Sequence, residues 1–88
     1  MKLKYGGQFK RDYKSIQKRG WDVKLIHDVL VVLDTGKPLK AKYRDHPLLG
    51  DYEGFRECHL KGDWLLIYRI DDGCLMLKRT GSQSDLFG

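Results

Sequence analysis

Three residue types in this chain bear on chemistry: two histidines outside any predicted helix (His46 and His59), a carboxylate at Asp63, and Arg79 near the C-terminus. His59 falls near the end of one predicted strand, Asp63 in the turn that follows, and Arg79 at the end of the last strand. Imidazole exchanges protons near neutral pH, because its unperturbed pKa is about 6.5. A base that takes a proton from a hydroxyl, an arginine that steadies charge on phosphate oxygens and an acid that protonates the leaving oxygen form a set suited to phosphodiester cleavage. RNA supplies its own nucleophile in the 2′-OH, so the set calls for neither a metal nor a cofactor. Each residue also has an ordinary structural reading. A histidine at a strand end often bonds backbone, an aspartate beside Gly62 often shapes a turn, and Arg79 has Asp71, Asp72 and Asp85 as candidate partners. His46, before Pro47, can simply order its loop.

Other constellations are weaker. His46 and His59 with Cys58 or Cys74 match no zinc spacing. The two cysteines read as small buried residues rather than a disulfide framework. Trp64 and Tyr68 could stack on bases, although a strand this apolar usually buries them. His27, at the edge of an apolar helical face, reads as structural.

The elements that must position these residues follow from periodicity. Met1 to Tyr5 alternates apolar and basic residues, as in a short half-buried strand. From Gln8 to Arg19, Phe9, Tyr13 and Ile16 recur at helical spacing, and Gly20 stops the helix. Asp22 to Asp34 predicts a second helix capped by Asp22, with Val23, Ile26, Val29, Leu30 and Leu33 on its buried face and Val31 and Val32 widening it. Leu39 to Tyr52 reads as a loop. Strands follow at Tyr52 to Leu60, Trp64 to Ile70 and Cys74 to Arg79, joined by Lys61-Gly62-Asp63 and Asp71-Asp72-Gly73 as an antiparallel meander. The Trp64–Tyr68 run is apolar on both faces and so predicts a central strand. The order is β-α-α-β-β-β, an α+β fold with two N-terminal helices on a mostly antiparallel sheet.

At 88 residues the chain fits one domain, 1–88. Its formal charge is +5, unevenly distributed. Residues 1–44 carry 12 Lys/Arg and 4 acids, whereas residues 45–88 carry 5 and 8. That asymmetry points to a polyanionic partner for the first half, with Lys10, Arg11, Lys14 and Lys18 along one helix; the plain alternative is a solvated lysine-rich face. The aliphatic run Val29–Leu33 is far short of a membrane span, and MKLKYGGQFK offers no signal-peptide core. A cytoplasmic protein without membrane contact is expected.

Several strings, taken together, resemble the YafQ toxins of the RelE/ParE superfamily from type II toxin–antitoxin modules. They are Asp45-His46-Pro47-Leu48, Gly54-Phe55-Arg56-Glu57-Cys58-His59, Asp63-Trp64-Leu65-Leu66-Ile67-Tyr68, and Arg79-Thr80-Gly81-Ser82 with Asp85-Leu86-Phe87-Gly88. The resemblance implies cleavage of messenger RNA in the ribosomal A site, leaving a 2′,3′-cyclic phosphate and a 5′-hydroxyl. It implies an antitoxin partner, with operator DNA bound only through that antitoxin. His46, His59 and Asp63 match positions used for acid–base work and substrate positioning, Arg79 the phosphate-steadying residue, Trp64 a tryptophan beside the catalytic acid, and Phe87 a C-terminal aromatic. The lysines and arginines of the first helix would grip ribosomal RNA.

One position departs. Arg-Thr-Gly-Ser/Thr is usually followed by His in this family, and here Gln83 follows. An amide hydrogen-bonds but does not titrate. An active toxin is hard to produce in cells, which favours an introduced change; the alternative is a natural variant relying on His46 or His59. Two other functions stay open: a toxin-fold domain that binds antitoxin and ribosome without useful catalysis, and a ParE-like gyrase inhibitor. The latter usually lacks the His59/Asp63 pair.

Overall fold

The computed structural model describes residues 1–88. The chain runs through strand β1 (Lys2–Tyr5), helices α1 (Gly7–Arg19) and α2 (Lys24–Asp34), the two-residue strand β2 (His46–Pro47), strands β3 (Arg56–Lys61), β4 (Trp64–Asp71) and β5 (Cys74–Ser82), and a closing helix α3 (Gln83–Phe87). The sheet order is β1-β5-β4-β3-β2, with β1 parallel to β5 and every other pair antiparallel. The expected α+β architecture with a central β4 is therefore present.

The helices form where apolar spacing places one face on the sheet. Phe9 and Ile16 of α1 and Ile26, Val29, Leu30 and Leu33 of α2 are buried against Cys58, Leu66, Tyr68, Leu75 and Leu77. Gly20 ends α1 in the left-handed conformation (φ 78°), and its N–H reaches the carbonyls of Ile16 and Gln17. Asp22 takes up the N–H of Lys24, as its predicted capping role requires. The apolar stripe of α2 is narrower than its composition suggests, since Val31 is exposed.

Two features go beyond the sequence reading. The predicted loop from Leu39 to Tyr52 contains two single 3-10 turns, and its His46–Pro47 pair adds a strand to the β3 edge. The C-terminus forms α3, whose first turn is closed by a reciprocal Ser82–Asp85 capping box and by Arg19 on Asp85 at 2.7 Å. Arg19 and the Ser82 N–H hold the Asp85 carboxyl well below the usual carboxylate range. Leu86 of α3 then covers Leu65 and Ile67 on the sheet face away from α1 and α2.

Thr80 joins the two sides of the core. Its buried hydroxyl accepts from Trp64 Nε1 at 2.9 Å and donates to the Leu65 carbonyl at 2.8 Å. Thr80→Val keeps the shape but leaves a buried donor and an acceptor unpaired, so it should lower unfolding free energy by about 2 kcal/mol. Urea denaturation checks this, and an unchanged midpoint contradicts it.

Candidate active site

Side chains alternate across the sheet, so neighbouring residues of β3 serve opposite faces. Cys58 goes to the helical core, while Glu57 and His59 point to the other side. Pairing of β2 with β3 sets His46 opposite Glu57. The loop before β2 is tied down through Asp45, which accepts from both Nε and Nη2 of Arg56 and from the Tyr68 hydroxyl. Burial, with that bond to Asp45, pushes the Tyr68 phenol above its ordinary value and keeps it a donor.

The result is a compact cluster. His46 Nε2 lies 2.9 Å from Glu57 Oε2, His59 Nε2 lies 3.8 Å from the same oxygen, and the imidazole centroids are 6.1 Å apart. The Glu57 side chain is only 8% exposed, whereas that of His46 is 45% exposed. Arg44, one of two non-glycine residues in the left-handed region (φ 45°), puts Nη2 3.1 Å from His59 Nδ1. Guanidinium can only donate, so His59 Nδ1 is the acceptor and a neutral His59 carries its proton on Nε2, toward Glu57. His46 meets acceptors on both sides, Glu57 Oε2 and the Pro47 carbonyl. Both bonds form together only on the doubly protonated ring, so this geometry suits a proton donor at His46.

Arg79 lies in the same cross-strand row, since it pairs with Ile67, which pairs with Glu57. Strict alternation had put Arg79 in phase with Leu75 and Leu77; a bulge at Lys78 reverses that phase. Two strand spacings separate Arg79 from Glu57, roughly 10 Å of backbone. The partner of Arg79 is none of the expected acids but Asp12 of α1, which accepts Nε at 2.7 Å, Nη2 at 3.2 Å and the Thr80 N–H at 3.1 Å. Asp12 raises the Arg79 pKa above its ordinary value, with Tyr52 a lesser contributor.

The remaining sequence candidates disperse. Trp64 is a core residue stacked near Trp21, with its N–H on Thr80, so no ring face is free for a base. Asp63 is exposed at the β3–β4 turn, beside Trp21, Leu25 and Lys61 on the helical side, and bonds neither histidine. Gln83 opens α3 and is exposed. Phe87 is half-exposed and packs edge-on against Tyr52, their centroids 5.7 Å apart. Lys10 and Lys14 border a groove between α1 and α2, across the sheet from the histidines. Arg11 bonds Gln8, and Lys18 is exposed.

Glu57, Arg44 and Asp12 escaped the sequence reading. Alternation with His59 was a signal for Cys58 and against Glu57; only the β2–β3 pairing makes Glu57 the hub. As for metal donors, neither cysteine joins the histidines, and burial pushes the Cys58 thiol up to about 12. His46, Glu57 and His59 instead offer three ligand atoms within 4.8 Å of one another, and Glu57 Oε1 is buried without a hydrogen-bond partner. That donor set fits a transition-metal ion.

An α+β sheet with histidines, a buried carboxylate and a clamped arginine on its open face defines the RelE-like class of small toxins. Residues 1–88 match the family model described as the bacterial YafQ toxin of type II toxin–antitoxin systems, and the chain belongs to that family. It is 41% identical over 87 residues to the mRNA interferase toxin YafQ of Escherichia coli K12, covering 98% of this chain and 95% of that protein. Three solved structures share the fold. The E. coli DinJ–YafQ toxin–antitoxin complex aligns with TM-score 0.90 at 40% identity, covering 98% of this chain and 96% of that one. A histidine-to-glutamine variant of E. coli YafQ gives 0.92 at 40%, covering 98% and 97%. A metal-bound toxin from Helicobacter pylori gives 0.92 at 45%, covering 99% of each chain.

The Asp12–Arg79 clamp yields a test of its own. Asp12→Asn leaves a largely buried guanidinium without its counter-charge and should cost about 2 kcal/mol of stability. In a double-mutant cycle the loss should shrink when Arg79 is already glutamine. Additive losses in chemical denaturation would show that the two side chains act independently.

Proposed function

We propose that this chain is a ribosome-dependent endoribonuclease that cuts messenger RNA in the A site, with its cognate antitoxin as the restraining partner. The observation that carries the reading is the His46–Glu57–His59 cluster on the open sheet face, in the row that leads to Arg79. In the proposed reaction a base takes the 2′-OH proton, the 2′-oxygen attacks the adjacent phosphorus, and the bond to the 5′-oxygen breaks. An acid returns a proton to that leaving oxygen, giving a 2′,3′-cyclic phosphate and a 5′-hydroxyl. His46 is oriented to donate a proton, Glu57 holds both imidazoles in place, and Arg79 receives charge that builds on the phosphate. Phe87 and Tyr52 form an aromatic rim on which a base can rest. The exposed basic residues of α1 (Lys10, Arg11, Lys14 and Lys18) contact ribosomal RNA or antitoxin, and operator DNA is reached through the antitoxin alone. Asp63 contributes from the turn only if substrate draws it around the β3 end.

Gln83 lies at the end of β5, two residues beyond Gly81, which shares a cross-strand row with His59. From there an imidazole would reach the same substrate, and an amide supplies hydrogen bonds without a proton. Gln83→His should therefore raise A-site cleavage on programmed ribosomes by about 10²–10⁴-fold. Equal cleavage by both forms would remove proton transfer from this position. Tight ribosome binding with no cleavage by either would favour a binding-only domain, and gyrase-dependent DNA breakage a ParE-like role.

A second reading rests on the unpartnered Glu57 Oε1 between two imidazoles. The cluster takes up a transition-metal ion through His46, Glu57 and His59, as its metal-bound H. pylori relative would suggest. A bound ion would occupy the same nitrogen lone pairs that proton transfer needs, so it would restrain the acid–base chemistry. Calorimetry with zinc or copper should show one site per chain, weakened by at least about tenfold in Glu57→Gln. Unchanged affinity in that variant would place the ion elsewhere.

A further inference from the structure

We infer that the groove between α1 and α2 receives an acidic amphipathic helix of a DinJ-type antitoxin; this rests on the partner part of the function proposed above. The groove encloses about 440 Å³. Its floor is apolar, built from Phe9, Ile26 and Leu30, with Tyr5 and Tyr13 at the lip. Tyr13 is fixed there by a 3.0 Å bond to His27. Burying apolar side chains of a partner in such a trough is the main favourable term in helix-in-groove recognition.

Charge selects the occupant. Lys10 and Lys14 stand on one wall, a helical turn or about 6 Å apart, and neither takes part in an ion pair or side-chain hydrogen bond. Arg19 of the same helix, by contrast, is already engaged by Asp85. Two unpaired ammonium groups at that spacing match carboxylates four residues apart on a helix laid along the groove. A second copy of this chain is a poor occupant, because both copies carry +5 and the neighbouring edge strand β1 presents Lys2 and Lys4. RNA would use the lysines but not the aliphatic floor, and the Tyr5 ring already stacks on Phe9 at 5.9 Å.

The test uses purified E. coli DinJ as the probe, titrated calorimetrically into this chain. The double variant Lys10→Glu/Lys14→Glu should weaken binding by about 100-fold, a decade for each pair lost, and Tyr5→Glu at the lip by about tenfold. Lys37→Glu/Lys40→Glu, with the same charge change outside the groove, should stay within about threefold. Thermal unfolding of each variant confirms that the fold is kept. Loss of equal size in both double variants would reduce the effect to overall charge and overturn the inference, as would wild-type affinity in the groove variants. No binding of DinJ to the unaltered chain would overturn both the inference and the antitoxin partner. Binding through other residues would overturn the inference alone. Groove variants that lose a short RNA but keep DinJ would assign the lysines to nucleic acid.

Discussion

Burying a carboxylate on one face of a sheet without counter-charge costs several kcal/mol, and Glu57 is such a carboxylate. Much of the open face is arranged around that demand. Opposite it, His46 is delivered by a two-residue strand; alongside it, His59 is held by Arg44; and the loop that carries both Arg44 and His46 is anchored through Asp45 to Arg56 and Tyr68. One oxygen of Glu57 meets both histidines, while the other has no protein partner. The same device therefore orders two proton carriers and leaves a polar vacancy that a ligand can fill.

The molecule divides its work across the sheet. The histidine cluster and the aromatic rim of Tyr52 and Phe87 occupy one face, whereas the lysine-lined groove lies among the helices on the other. Asp12 connects these regions: it belongs to α1, yet it fixes both the Arg79 side chain and the Thr80 backbone. Events at the helices thus have a direct mechanical route to the arginine of the open face. The concentration of basic residues in the first 44 positions describes the helical side and leaves the face that carries the histidines nearly balanced.

Much of the fold was legible because its signals are local. Phe9, Tyr13 and Ile16 at helical spacing, the left-handed stop at Gly20, and the doubly apolar Trp64–Tyr68 run all depend on neighbours within a turn or a strand. The site was legible only in part. His46, His59 and Arg79 stood out by residue type, but Trp64 turned out to be core, and Asp63 faces the helical side. Arg79 changed face because a bulge at Lys78 shifts the phase of β5, and a one-residue insertion leaves no mark in a hydropathy pattern.

By itself, then, the sequence determined the secondary elements, the apolar core and the family, since periodicity and motif strings are properties of the chain in one dimension. Tertiary structure alone decided which polar groups meet. Glu57 became the hub through pairing with a strand too short to predict, and Asp12 reached Arg79 across 67 positions. The cysteines were excluded from the histidines by the side of β3 on which they fall. Hydrogen bonds and ion pairs act within about 3 Å, and strand register and helix docking, not spacing along the chain, bring atoms that close.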